Sequence, residues 1–440
     1  MATQLKPRCE TASPLEILPE RLEADPSRVV LRPFHLGWQA QTATGGRAER
    51  LVQDVLSLDP ATAEREFRCV LADFGERHWQ TEQLFLRRFE EVRQQVAIDA
   101  DTLTFPQRAL IGAYFCHEYT YAAAALMNPS IVPHPDQSGM VGGSLRFVMS
   151  MRAVGEGHIS SVAFREGVVA RDGSLSLWPQ SHFATAANGT EAKPEGEGAV
   201  RIFRDSESTL SNTVIFPVTE QQRGGLEDLR LVRFDHGDGD YEWIGTYTAY
   251  SGTSIRSELL LTRDFRAFDL VPMQGAGARN KGMALFPKKF GDDYLMVGRQ
   301  DGKNLFLLRS ARLDQWNEEG TLLLEPKFPW EFVQIGNCGS PLWTERGWLL
   351  LTHGVGPMRK YALGCALLDL DDPSKVIARS TEPLLTAQDD DRHGYVPNVV
   401  YTCGGIIVAD ETLMLPYGIS DSAIGFARVP LERIFSEVLA

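Results

Sequence analysis

Hydrophobic positions follow one rule in the first third of the chain and another in the rest. Asp59-Pro60 with Glu64 behind them form a helix start, with a capping side chain, Pro at the first helical position and early negative charge. Phe67, Val70, Leu71 and Phe74 then recur at helical spacing. A second helix carries Leu84, Phe85, Phe89, Val92 and Val96, with Glu90, Glu91 and Arg93 turned outward. A third run, Pro106 to Met127, is rich in Ala and aromatic residues and reads as a buried helix. After Asn128-Pro129 the pattern becomes short strands divided by Gly, Asp and Asn turns.

One unit recurs in this second part: an apolar strand that ends in polar or charged residues. It occurs as LRFVMSMRAVGEGH (145–158), YEWIGTYTAYSG (241–252), YLMVGRQDG (294–302), WLLLTHGVG (348–356) and TLMLPYGISD (412–421). With Phe147, Trp243, Tyr294, Trp348 and Leu413 as markers, the spacings are 96, 51, 54 and 65 residues. Such periods predict a mainly β fold, a five-bladed β-propeller with an insertion near residues 170–215. A sandwich would give similar strands but would not bring the five polar ends together. The expected division is a mostly helical N-terminal extension, 1–127, and a propeller, 128–440. The apolar faces of the extension could pack on the propeller or drive homo-oligomerisation.

Charge narrows the partners. The 440 residues include 58 acidic and 44 basic side chains, a formal charge of −14. That balance lacks the basic footprint that nucleic acids or anionic membranes demand. A small anionic substrate is still compatible, because a few cations in one cleft reverse the local field. The six cysteines (Cys9, Cys69, Cys116, Cys338, Cys365, Cys403) form no CxxC pair and read as buried free thiols of a reducing cytoplasm. The first twenty residues hold no apolar signal core, and no stretch approaches the ~20 apolar residues of a membrane span.

Familiar catalytic motifs are missing: there is no P-loop, HExxH, GxSxG or complete GxGxxG. His117-Glu118 has no second His at ligand spacing, and Asp235, Asp238 and Asp240 read as a solvated hairpin rather than a calcium loop. No metal site is expected. What stands out are charged residues in Gly-framed apolar segments: Arg152, Glu156 and His158; Glu227, Asp228 and Arg230; Arg279, Asn280 and Lys281; Arg299 and Asp301; His353, Arg359 and Lys360. One or two carboxylates among several cations suit a proton donor beside an anion pocket. Trp243, Trp343 and Trp348 read as core. Trp316 and Trp330, in loops, are the better candidates for stacking on a ligand.

Longer segments carry a resemblance. GLEDLRLV with TYTAYSG, RNKGMALFPKK, GNCGSPLWTERGWLLLTHGVG, ALGCALLDLDDPSKVIARSTEPLL and GYVPNVVYTCGG resemble glycoside hydrolase family 130, in order from Asn128 to Ala427. That family comprises β-mannoside phosphorylases and some β-mannosidases on a five-bladed propeller. The helical third lies outside its common core. The resemblance implies inverting phosphorolysis of a β-mannoside, β-1,2-linked manno-oligosaccharides among the options, to α-mannose 1-phosphate. Inorganic phosphate would be the co-substrate, without a further cofactor. Asp228 matches the single catalytic carboxylate, which by family analogy passes its proton through the mannose 3-hydroxyl. Arg152, Lys281, Arg299, His353 and Tyr361 match positions around phosphate or mannose, Arg359 adds charge nearby, and Asn128 and Asp301 are candidates for sugar hydroxyls.

Three departures bear on the chemistry. Leu229 stands where the family usually has Pro. Glu156-Gly157-His158 replaces an acidic-Asn pair, and could alter the sugar accepted or supply a second carboxylate. Glu227 adjoins Asp228, but neighbours on an extended strand face opposite ways. An inverting hydrolase needs two carboxyls ~6.5–9.5 Å apart, with Glu156 as the candidate base. A non-catalytic carbohydrate-binding propeller is the third reading.

Overall fold

The computed structural model describes residues 13–34, 46–96, 98–189 and 196–439, and Cys9 lies outside them. Contacts divide the chain into two compact units, one of residues 26–121 with 181–186 and one of the residues up to Asp25 with 122–180 and 187–440.

Among the described residues of the smaller unit four α-helices form: α1 (Arg47–Leu56), α2 (Pro60–Phe74), α3 (Thr81–Gln95) and α4 (Phe105–Tyr114). The Asp59 carboxylate accepts from Ala61 and Thr62 N–H at 3.0 and 3.1 Å, which satisfies two of the free donors that open α2. Ala48, Val52, Phe89, Val92, Leu110 and Ile111 close the core. α3 and α4 touch so closely at Gly112 that a Cβ there would lie 1.8 Å from the Phe85 carbonyl oxygen.

The run 106–127 is helical only to Tyr114. Cys116–Thr120 is a strand, antiparallel to Val29–Pro33, whose other edge takes Phe183–Ala186 in parallel. Aromatic and β-branched residues (His117, Tyr119, Thr120) fit a paired strand better than another helical turn. The described residues 13–34 also hold two strands, Glu16–Glu23 and Val29–Pro33, which alternate too weakly to stand out in the sequence. Cys69 is exposed on α2 and Cys116 half-buried, so the buried-thiol expectation holds only for Cys338, Cys365 and Cys403.

The larger unit is built of antiparallel strands in five successive groups among the described residues. Ala125–Pro133, Leu145–Val154, Ser160–Val169 and Leu175–Leu177 make the first. Gly225–Gly237, Asp240–Tyr250, Ile255–Thr262 and Ala267–Pro272 make the second, extended by Val200–Phe203. Ala284–Leu285, Tyr294–Gly298, Leu305–Ser310 and Thr321–Leu324 follow, then Gln334–Asn337, Gly347–Val355, Tyr361–Leu368 and Val376–Arg379. In the last, Val400–Tyr401, Thr412–Ile419 and Ala423–Pro430 are joined by Glu16–Glu23 from the far end of the chain. Strand residues such as Phe164, Leu231, Leu295, Leu350 and Leu413 interlock in apolar clusters.

Tryptophan burial departs from expectation at two positions. Trp316 is fully buried, because its loop folds under the strand Leu305–Ser310 and its indole N–H donates to the Leu313 carbonyl at 2.8 Å. Trp343 is half exposed on the short edge strand Leu342–Thr344. Trp243 and Trp348 are core. Trp330 is wedged against Gly354 and Gly364, and its indole donates to the Thr381 carbonyl. The Asp235–Asp240 segment is a hairpin turn, as its sequence predicts. No helix among the described residues is long and apolar enough to cross a membrane.

Candidate active site

Asp228 owes its position to a bulge. Glu227 pairs with Thr248 and Arg230 with Thr246, so Asp228 and Leu229 together oppose Tyr247. Asp228 adopts φ 56, the left-handed region that Asp and Asn tolerate best among side-chain-bearing residues. The extra residue breaks the two-residue alternation. Leu229 turns into the core over Gly245, and Glu227 and Asp228 come to one side instead of facing opposite ways. One guanidinium reads both: Arg152 Nη2 lies 2.8 Å from Glu227 Oε1 and Nη1 3.4 Å from Asp228 Oδ1.

A second bulge adjoins the first. Met127 pairs with Arg152 and Ser130 with Ser150, leaving Asn128 at φ 51. Its Nδ2 donates to Asp228 Oδ1 at 2.6 Å, and Ser130 Oγ accepts the Leu231 N–H at 3.0 Å. Two strained residues therefore hold one carboxylate, the kind of stored strain found at functional sites.

Beside Asp228 lies a cavity of about 30 Å³ lined by Arg230, Lys281, Gly282, Arg299, Gly336, Asn337, His353 and Tyr401. Arg230 is buried. It donates from Nη2 to the Tyr401 hydroxyl at 2.5 Å and from Nη1 to the Asp228 carbonyl at 3.1 Å. The Nε–H groups of Arg230 and Arg299 are buried with no hydrogen-bond partner. Lys281 Nζ is 3.7 Å from Glu227 Oε2. Two side chains that line a small cavity and carry an orphaned charged donor suit an anion there. Among the described residues no group of three His, Cys, Asp or Glu is placed to hold a metal ion.

His353 is buried against Tyr361, with ring centres 5.8 Å apart and stacked, and meets Tyr401 edge-on at 4.8 Å. Gly336 makes room for it, since a Cβ there would lie 2.2 Å from the imidazole. Burial, helped by the charges of Arg299 and Arg230, keeps the ring neutral well below its ordinary titration range.

Burial alone would raise the Asp228 carboxyl. The charges of Arg152, Arg230 and Lys281, with the Asn128 hydrogen bond, outweigh it and hold the group below the usual carboxylate range. Asp421 behaves oppositely: burial and the charge of Asp228 push it up to about 6, against Arg152 and Arg359. Its folded pKa exceeds the unfolded value, so the folded chain binds this proton more tightly. Ionisation costs stability progressively from about pH 4 to 6 and fully above that range. Asp421→Asn should raise the thermal midpoint at pH 8, by the equivalent of about 3 kcal/mol, and leave it unchanged at pH 4. Calorimetry at the two pH values checks this, and an equal shift at both contradicts it.

The structure brings Asp228, Asn128, Arg152, Lys281, Arg299, His353 and Tyr361 into one neighbourhood. It does not bring Asp301 there: both its oxygens cap its own exposed turn, accepting from Lys303 N, Asn304 N and Asn304 Nδ2. Glu156 and His158 occupy an exposed turn outside the cavity lining, and Arg359 a similar turn at φ 55. Sequence reasoning passed over Asn337, Tyr401 and Asp421, and gave Arg230 no role. Tyr401 and Asp421 lie in segments already singled out, GYVPNVVYTCGG and TLMLPYGISD.

The family model described as beta-1,4-mannooligosaccharide phosphorylase matches residues 158–438. The chain belongs to glycoside hydrolase family 130. Within family 130 it is 34% identical over 235 residues to a 1,2-beta-oligomannan phosphorylase of Thermoanaerobacter sp. (strain X514), covering 51% of this chain and 75% of the relative. It is 35% identical over 224 residues to a beta-1,2-mannobiose phosphorylase of the same organism, covering 49% and 70%. A solved structure from work on family 130 glycoside hydrolases that target beta-1,2 mannosidic linkages in Candida mannan aligns at 19% identity with a TM-score of 0.50, covering 71% of this chain and 86% of that one. That likeness speaks for the fold alone.

Proposed function

We propose that this family 130 member is an inverting β-mannoside phosphorylase acting on β-1,2-linked manno-oligosaccharides, on a five-bladed propeller whose blades are the five strand groups. The carrying observation is the Asp228 carboxylate beside a cavity lined by Arg230, Lys281 and Arg299, of which both arginines carry an unpartnered Nε–H. Phosphate fits those donors, and its oxygen attacks C1 of the mannosyl unit while the C1–O bond to the remaining sugar breaks. The product is α-mannose 1-phosphate. The departing oxygen takes a proton that originates on Asp228 and passes through the mannose 3-hydroxyl.

The field around Asp228 suggests how that proton is loaded. With three cations near, the carboxyl is held in its ionised form. A phosphate dianion beside Arg230, Lys281 and Arg299 offsets those charges and raises the carboxyl toward protonation. Phosphate is then both nucleophile and the condition for an active acid. Hydrolysis is the weaker reading, because Glu227 is committed to Arg152 and Lys281 and Glu156 stands outside the cavity lining. The strand groups also support convergence of the cationic residues at one end of a central channel.

The test is release of α-mannose 1-phosphate from β-1,2-mannobiose with and without phosphate. Turnover is expected only with phosphate, and equal turnover in phosphate-free buffer would overturn the assignment.

A further inference from the structure

Beyond Asp228 the surface carries two exposed aromatic rings that the reaction above leaves without a role. Tyr395 is 56% exposed, although its backbone is firmly held. Its N–H donates to Ser422 Oγ at 2.6 Å, and the next N–H, of Val396, donates to the Ser420 carbonyl at 3.0 Å. Gly394 lies so close to Ser420 that a Cβ there would sit 2.5 Å from that carbonyl oxygen. The segment is therefore fastened on both sides of Asp421, whose carboxyl feels Asp228 and Arg152.

The second ring is His158, centred 6.1 Å from Tyr395 with 36° between the planes. His158 has φ 60 on the exposed turn that follows the Arg152 strand. Two residues on, Ser160 Oγ accepts from Arg152 Nε at 2.8 Å. Each ring is thus tied by backbone to a residue adjoining the carboxylate site, one through Asp421 and one through Arg152. Neither hides its face in a core. Rings ordered by their backbone and left exposed have lost their entropy before a ligand arrives.

We infer that Tyr395 and His158 form the platform for the sugar on the leaving-group side of the scissile bond, the acceptor when the reaction runs in reverse. The inference rests on the phosphorylase reading and adds to it the residues that select the acceptor. The cavity takes the anion and the bulged carboxylate faces the transferred mannose, so the next sugar outward meets these rings. A pyranose offers a C–H face to an aromatic plane and keeps its hydroxyls in water. His158, in the segment where this chain departs from its family pattern, widens the apolar face beyond one ring.

The experiment compares kinetic constants for synthesis from α-mannose 1-phosphate and β-1,2-mannobiose as acceptor. Tyr395→Ala should raise the acceptor KM about tenfold, leave the KM for α-mannose 1-phosphate within about twofold, and be rescued by Tyr395→Phe. His158→Ala should shift the same constant in the same direction by less. An unchanged acceptor KM, or an equal rise in both constants, overturns the platform. If the wild-type protein makes no product from α-mannose 1-phosphate, the phosphorylase reading fails. The platform is then judged by calorimetric binding of β-1,2-mannobiose, where equal affinities for wild type and Tyr395→Ala overturn it.

Discussion

Asp228→Asn should lower kcat for phosphorolysis by ~10²–10⁴, the span expected when the proton source is removed. The substitution is mild elsewhere. Asn tolerates the left-handed backbone at this bulge, and its side-chain oxygen can still accept from Asn128 Nδ2. The variant should therefore fold, with an unchanged circular dichroism spectrum. Phosphate should bind it more tightly than the wild type, because a carboxylate on the wall of the anion cavity has become neutral. Lost turnover with tightened phosphate binding, read by calorimetry, would separate a missing proton from a damaged site. Activity within about tenfold of wild type would remove Asp228 from the donor role.

Arg230→Met should raise the KM for phosphate by roughly 10- to 150-fold, since a charge-assisted hydrogen bond contributes about 1.5–3 kcal/mol and one orphaned charged donor is at stake. Arg230 combines three features: an orphaned Nε–H on a side chain that lines the cavity, a bond to the Tyr401 hydroxyl and one to the Asp228 carbonyl. Lysine has one ammonium and cannot span these directions, so Arg230→Lys should recover little. The KM for mannobiose should move far less than the KM for phosphate. A parallel rise in both would point to collapse of the site instead of loss of an anion contact.

The legible parts of this architecture were those carried by periodicity. Apolar strands ending in charge located Arg152, Arg299 and His353, helical spacing located α2 and α3, and the roles of Asp228 and Lys281 rested on the family resemblance. The bulges were not legible, because two residues facing one is a property of register between strands that the local pattern does not encode. Hence Glu227 was read as facing away from Asp228. Tyr401 and Asn337 escaped notice because a neutral residue in an apolar run resembles core until its neighbours are known. Trp316 and Trp343 exchanged roles for a related reason. Loop or strand membership says little about burial when a loop folds under a sheet and a strand lies at its edge.

The pairing of Glu16–Glu23 with Ala423–Pro430 carries a consequence for biosynthesis. Glu16 and Arg428, joined by two hydrogen bonds of 2.9 Å, are 412 residues apart. At about 5–20 residues per second, roughly 20–80 s separate the appearance of the two strands at the ribosome. During that interval the Glu16–Glu23 strand has no partner edge, and the last sheet cannot be finished until Ala423–Pro430 has emerged. A nascent chain of this protein would carry an open strand edge throughout that interval, the state in which chaperones and aggregation compete for it.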